Sequence, residues 1–289
     1  MQRLNDVHEL RRWREQVRRE ECLVGFVPTM GALHAGHASL LERSSRECER
    51  TLLSIFVNPL QFNDPQDFAR YPQTLEADLE IAARTGVDAV FLGRRDDLYP
   101  AGFQSFVEPR GCALPLEGEH RQGHFAGVAT IVLKLLSLAQ ADRAYFGEKD
   151  WQQLQVVRAL VLDFHLECEI VPCATLRESD GLALSSRNTR LDPAARRNAL
   201  AISRALGAAA RAYAGGARDR ARLEAEMQRV LSQTRSVEVE YAVVADAQTL
   251  EPWAGPPRAP RALIAARVGG VRLIDNAALD EPPVGPLEL

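Results

Sequence analysis

The sequence predicts an α/β protein: a Rossmann-like parallel sheet with helices on both faces, followed by a smaller C-terminal α+β domain. Three observations carry this. Between residues 22 and 171, apolar β-branched runs alternate with helical patterns. Near residue 175 the pattern changes, and alanine- and arginine-rich helices precede three strand-like runs. A chain of 289 residues, 46% of them hydrophobic, can bury two such cores.

In chain order, Arg11, Arg12, Arg14, Arg18 and Arg19 are interleaved with Glu15, Glu20 and Glu21, which reads as the solvated face of a helix. Strands are expected at Cys22–Val27, Thr51–Val57, Val87–Leu92, Asp142–Phe146 and Cys168–Val171. The helices between them are Gly36–Cys48, Thr74–Thr85, Phe125–Ala139 and Trp151–Phe164. A domain boundary near residue 175 divides the chain into 1–174 and 175–289. Helices over Pro193–Ala214 and Arg218–Gln233 follow, separated by the turn Ala214-Gly215-Gly216. The last strands are Val237–Val244, Ala262–Ala266 and Val271–Ile274, with Pro-rich Glu251–Pro260 as an exposed loop and Pro282–Leu289 expected to fray.

A formal net charge of −4 with 26% charged residues excludes a disordered chain and a general nucleic-acid footprint. Any anionic ligand must be held by a local site. The most apolar stretch, Val128–Ala139, is interrupted by Thr130, Lys134 and Ser137 and is too short to cross a bilayer. Arg3, Asp6 and Glu9 break the start of the chain where a secretory signal would be apolar, so a cytoplasmic location is expected. The five cysteines, Cys22, Cys48, Cys112, Cys168 and Cys173, are odd in number and lack a Cys-x-x-Cys, which argues against a disulfide framework or zinc ribbon.

The richest segment is Val27-Pro28-Thr29-Met30-Gly31-Ala32-Leu33-His34-Ala35-Gly36-His37, a turn between an apolar strand and a helix. Gly36 and His37 are placed at a helix N-terminus, where free N–H groups and the positive end of the dipole favour an anion. His34 and His37, three apart, share one face and can both address that ligand. A metal pair or a purely structural turn are the competing readings. The turn is neither a Walker loop nor a Gly-x-Gly-x-x-Gly fingerprint.

Three further segments carry candidate chemistry. Gly147-Glu148-Lys149-Asp150 leaves a strand end with a cation and two carboxylates, suited to a phosphate and a ribose; Asp150 could equally cap the next helix. Leu184-Ser185-Ser186-Arg187-Asn188 offers hydroxyls and a guanidinium to phosphoryl oxygens, or is a polar inter-domain loop. Gln61 and Gln153 are neutral amides fit for the hydroxyls of a small hydroxy acid. In Glu117–His124, Arg121 can bind a carboxylate, while a dedicated zinc site on His120 and His124 lacks well-placed partners, so no metal site is assigned.

In order, Pro28-Thr29-Met30-Gly31 with His34-Ala35-Gly36-His37, Phe56-Val57-Asn58-Pro59 with Gln61-Phe62, Gly147-Glu148-Lys149-Asp150 and Leu184–Asn188 resemble the pantothenate synthetase family. Arg70-Tyr71-Pro72, Gly123-His124-Phe125 with Gly127-Val128, and Arg272-Leu273-Ile274-Asp275-Asn276 extend the likeness over nearly the whole chain. The resemblance implies ATP- and Mg²⁺-dependent condensation of (R)-pantoate with β-alanine through a pantoyl adenylate, in a homodimer. It implies catalytic roles for His34, His37, Lys149 and Arg187. It implies ATP contacts by Met30, Gly31, Gly36, Gly147, Glu148, Asp150, Leu176, Leu184, Ser185 and Ser186. Asn58, Gln61 and Gln153 would bind pantoate, and Gln61 with Arg121 would bind β-alanine. The second signature reads Ser185-Ser186-Arg187 and lacks the lysines of the related synthetase loop, so Arg187 must supply the cation.

Overall fold

In the computed structural model residues 1–281 are described; the tail at 282–289 lies outside them. The strands are β1 (Gln2–Leu4), β2 (Val24–Thr29), β3 (Arg50–Ile55), β4 (Ala89–Leu92), β5 (Arg143–Gly147), β6 (Glu169–Cys173), β7 (Val237–Asp246), β8 (Pro260–Val268) and β9 (Val271–Ala278). The helices are α1 (Val7–Arg19), α2 (Ala35–Glu47), α3 (Pro65–Ala69), α4 (Leu75–Arg84), α5 (Arg95–Leu98), α6 (Glu117–His120), α7 (His124–Ala139), α8 (Trp151–Asp163), α9 (Pro193–Ala214) and α10 (Arg220–Leu231).

The first six strands form one parallel sheet in the order β1-β4-β3-β2-β5-β6. Its central strands are buried on both faces, which is why they read as continuous apolar runs rather than alternations. On one face Val27, Leu53, Val90, Tyr145 and Val171 pack with Leu41 of α2 and with Leu79 and Ala82 of α4. β1 escaped the sequence reading because Gln2-Arg3-Leu4 has no apolar run; it is an edge strand defined by its pairing with β4. The other five strands lie within two residues of their expected bounds.

α1 corrects one expectation. Arg14 is buried, and its Nη2 donates to the Gln140 carbonyl at 2.6 Å, so it is not part of a solvated face. Its Nε and Nη1 find no hydrogen-bond partner among the described residues. Arg14 falls on the same stripe as Leu10, Trp13 and Val17, the buried side of the helix. Burial without a carboxylate partner pulls its pKa downward, and Asp142 only partly opposes this.

β7, β8 and β9 form an antiparallel sheet against which α9 and α10 pack through Ile202, Leu206, Leu223 and Met227. β8 and β9 extend beyond the expected Ala262–Ala266 and Val271–Ile274 because the register continues to Arg261 opposite Ala278. The Pro-rich loop is not wholly exposed: Trp253 is buried in this core and its Nε1 donates to the Arg258 carbonyl at 2.7 Å. The chain divides into two compact units. The first is Met1–Glu148 with Gln152–Cys173; the second is Lys149–Trp151 with the chain from Ala174 onward. No helix among the described residues is long and apolar enough to cross a membrane. All five cysteines are free, with Cys48 and Cys173 buried.

Candidate active site

β2 ends where the strand order reverses, with β3 on one side and β5 on the other. In open α/β sheets the crevice beyond the carboxyl ends at such a point is where ligands sit. The turn after β2 is shaped by Asp78 of α4, which is 1% exposed. Its carboxylate accepts the Ala32 N–H at 2.9 Å, the Leu33 N–H at 2.8 Å and the Thr74 hydroxyl at 3.0 Å. Gly31 and Ala32 have φ of 79° and 51°, and a Cβ on Gly31 would lie 2.9 Å from Asp78 Oδ2. Glycine is therefore required at position 31 for both conformation and space. Sequence reasoning missed Asp78 because it looks like an acid in the first turn of a helix. The available signal was its place one turn before Ala82 on the buried stripe.

The turn delivers His34 as the N-cap of α2 and His37 as its third residue, and the two form a reciprocal capping box. Gly36 N–H donates to His34 Nδ1 at 3.1 Å, and His34 N–H donates to His37 Nδ1 at 3.3 Å. Each Nδ1 thus acts as an acceptor, which places the ring proton on Nε2 as a donor. The rings are 4.2 Å apart between centroids. One expectation changes here. The Gly36 amide is used by His34, and the Gly31 amide donates to Thr29 Oγ1 at 3.2 Å, so neither is left over as a free anion donor.

The residues after β3 face the same turn. Asn58 caps a short 3₁₀ turn, Pro59–Gln61, and its Nδ2 donates to Gln61 Oε1 at 3.0 Å and to the Gly127 carbonyl at 3.1 Å. Gln61 Nε2 reaches Met30 Sδ at 2.9 Å. Met30, Asn58 and Gln61 are thus brought together. Tyr99 O–H donates to Asn58 Oδ1 at 2.9 Å, and burial pushes the phenol pKa upward, keeping it a donor. Lys134 lies 4.5 Å from the Phe103 ring centroid and 5.9 Å from that of Tyr99, and burial lowers its pKa.

Arg121 and His124 converge on the backbone of Gln61. His124 Nδ1 lies 2.8 Å from the Gln61 carbonyl, Arg121 Nη2 donates to that carbonyl at 3.3 Å, and Arg121 Nη1 lies 3.1 Å from His124 Nε2. If Nδ1 donates to the carbonyl, Nε2 is the acceptor from Arg121, so a neutral imidazole satisfies both contacts. Arg121 also pairs with Glu117 at 3.4 Å. Gly127 of α7 is a second position that only glycine fills, since a Cβ there would lie 2.3 Å from the Leu60 carbonyl oxygen. In α8, Gln152 is buried and holds the 112–117 loop through the Glu117 amide and the Cys112 and Pro115 carbonyls. Its neighbour Gln153 is half-buried and makes no side-chain hydrogen bond among the described residues. Successive helical residues diverge by about 100°, so these glutamines serve different surroundings.

Gly147 closes β5 and Glu148 follows it in the first unit. Lys149 and Asp150 belong to the second unit, where the Lys149 carbonyl accepts Asn276 Nδ2–H at 2.8 Å. In that unit Leu176 and Leu184 face each other across a hairpin, with Leu184 N–H donating to the Leu176 carbonyl at 3.0 Å. Ser185 then caps a 3₁₀ turn over Ser186–Arg190, accepting the Arg187 amide at 3.2 Å. Asn188 ties the turn to the Ala183 carbonyl at 3.0 Å and to Glu178 at 3.2 Å. Among the described residues no group of three His, Cys, Asp or Glu is placed to hold a metal ion.

A parallel sheet with a His-x-Gly-His helix start at its switch point places the chain among the open α/β proteins, whose ligand crevice lies beyond the carboxyl ends of the strands. The sequence profile of the pantoate-beta-alanine ligases matches residues 2–278. The pantothenate synthetase of Rubrobacter xylanophilus is 50% identical over 283 residues, 95% of this chain and 96% of that protein. The crystal structure of pantothenate synthetase from Thermus thermophilus superposes with a TM-score of 0.91 at 41% identity, covering 96% of this chain and 99% of that one. The pantoate-beta-alanine ligase of Francisella tularensis, described as complexed with beta-gamma ATP and beta-alanine, gives 0.80 at 33% identity, covering 98% and 100%. The chain belongs to the pantoate-beta-alanine ligase family.

Proposed function

We propose that this chain condenses (R)-pantoate with β-alanine at the expense of ATP, through a pantoyl adenylate, releasing AMP and pyrophosphate. The observation that supports the reading is that the turn after β2 carries both the His34–His37 capping pair and Met30, whose sulfur Gln61, itself bonded to Asn58, reaches at 2.9 Å. In this reading the histidine pair addresses phosphate and the neutral amides take a hydroxy acid. In the first step a pantoate carboxylate oxygen attacks the α-phosphorus in line, and the bond to pyrophosphate breaks. In the second the β-alanine amine attacks the acyl carbon and AMP leaves with the bonding electrons.

In this reading His34 and His37 donate from Nε2 to phosphoryl oxygens, while Met30, Gly31 and Gly36 line the turn beside them. Lys149, Ser185, Ser186 and Arg187 neutralise charge that grows in the displacement. Gly147, Glu148 and Asp150 contact the nucleoside, with Leu176 and Leu184 beside it. Asn58, Gln61 and Gln153 hold pantoate, and Gln61 with Arg121 takes β-alanine, Arg121 giving up Glu117 to do so. Residues 1–174 would form the nucleotide- and pantoate-binding domain and 175–289 the domain carrying the Ser185–Asn188 flap. Mg²⁺ would enter carried on the ATP phosphates, where it would draw charge from the phosphoryl oxygens. A homodimer and a cytoplasmic location belong to the same proposal.

Incubation with ATP, Mg²⁺, pantoate and β-alanine should yield AMP and pantothenate in equal amounts. AMP release that needs neither acid would overturn the function. In single-turnover experiments His37→Ala and Lys149→Ala should each slow adenylate formation by about 10²-fold or more with the fold intact. A normal rate in either removes that residue from the mechanism.

A further inference from the structure

Asp275 and Asn276 are adjacent on β9, 5% and 4% exposed, and neither has a role in the mechanism above. Consecutive strand residues point to opposite faces, so one dipeptide can grip two different segments. Asn276 Nδ2 donates to the Lys149 carbonyl at 2.8 Å, and its Oδ1 accepts Arg261 Nε–H at 2.7 Å. The Arg261 guanidinium lies 3.3 Å from the Trp151 ring centroid, and Trp151 Nε1 donates to the Ala247 carbonyl at 2.7 Å. Lys149–Trp151 is therefore fixed at three points within its own unit.

Asp275 makes a two-pronged ion pair with Arg177, at 2.6 and 3.0 Å, with both side chains only 4% exposed. Arg177 Nη1 also donates to the Gly181 carbonyl at 3.2 Å, at the tip of the hairpin that leads into Ser185–Arg187. The Asn276 amide closes the arrangement by donating to Asp275 Oδ1 at 2.8 Å. We propose that Asp275–Asn276 is a positioning element that fixes both cation-bearing segments, Lys149 directly through its backbone and Arg187 through the Arg177 hairpin. The inference rests on the roles proposed for Lys149 and Arg187. Both side chains are long and flexible, so the backbone beneath them decides where their charge is delivered. Displacement of a reacting group by about 1 Å can cost on the order of 10²-fold in rate.

The test is a double-mutant cycle on pantoate-dependent exchange of pyrophosphate with ATP. Asn276→Ala should lower exchange by about 10²-fold in the otherwise native chain, leave the KM for pantoate unchanged, and add almost nothing to Lys149→Ala. Asp275→Asn should lose its effect in the same way in an Arg187→Ala background. A merely structural role would cost the same in both backgrounds, and such additivity overturns the proposal. If Asn276→Ala or Asp275→Asn melts early, Asn276→Asp carries the cycle, because it keeps an oxygen to accept from Arg261 and sets a carboxylate oxygen, in place of the donor, against the Lys149 carbonyl. A native rate for Asn276→Asp sinks the Asn276 arm. Failure of the underlying function looks different, since the native protein would then show no exchange at all.

Discussion

Asp78 shows how one buried side chain decides a site it does not enter. Two amides, Ala32 and Leu33, sit in a turn with two left-handed residues and donate to its carboxylate, which no water can replace at 1% exposure. In Asp78→Asn the amide nitrogen would face a backbone donor at one of these positions. Leaving a buried donor unpaired costs about 1–3 kcal/mol. The expected outcome is a stability loss of that size in urea, with kcat/KM for ATP reduced about 10-fold or more and KM for β-alanine little changed. Equal losses for all three substrates would mean that Asp78 supports the fold rather than the turn. The helical stripe can hint that this residue is buried, but nothing in the local sequence announces what it binds, because its amide partners are 45 and 46 positions away.

At the level of elements, the helix–turn contact at Gly127 fixes where Gln61 can be. α7 approaches the Pro59–Gln61 turn so closely that any Cβ at position 127 would overlap backbone atoms of Leu60 and Gln61, which cannot move aside as a side chain would. Gly127→Ala should therefore shift the turn, costing about 1–3 kcal/mol in stability and raising the KM for pantoate more than that for ATP. Tyr99→Phe probes the same turn more gently: it deletes one hydrogen bond to Asn58 and should raise the pantoate KM a few-fold at unchanged kcat. Unchanged pantoate KM in both variants would detach this turn from the substrate. The elements themselves were legible where local pattern suffices. Five of the six parallel strands, the long helices and the His34–His37 helix start follow from apolar runs and caps. β1 and the partners of Arg14, Asp78 and Gln152 depend on chain segments distant in sequence, which no local pattern encodes.

For the whole molecule, acid should weaken the second unit through two aspartates. Burial would raise the pKa of Asp246, but N–H donation from Thr249 and Gln248, the Thr249 hydroxyl and Arg258 together bring it below the ordinary 3.8. Burial likewise opposes, and Arg196 with the Leu182 amide outweighs it, at Asp180, which also ends lowered. Since the folded values lie below the unfolded ones, the unfolded chain binds more protons in this range. The stabilisation is complete above the unfolded value and is lost as pH falls through the folded values. Fluorescence can follow that unit alone: of the three tryptophans, Trp151 and Trp253 lie within it, and Trp13→Phe removes the third. Urea unfolding of that variant should give a stability that is level above about pH 5 and declines below it. Asp246→Asn keeps an oxygen to accept the Gln248 and Thr249 amides while abolishing the titration. It should therefore start from lower stability near neutrality and decline less steeply in acid. An identical acid slope with Asn at this position would show that Asp246 does not carry the effect.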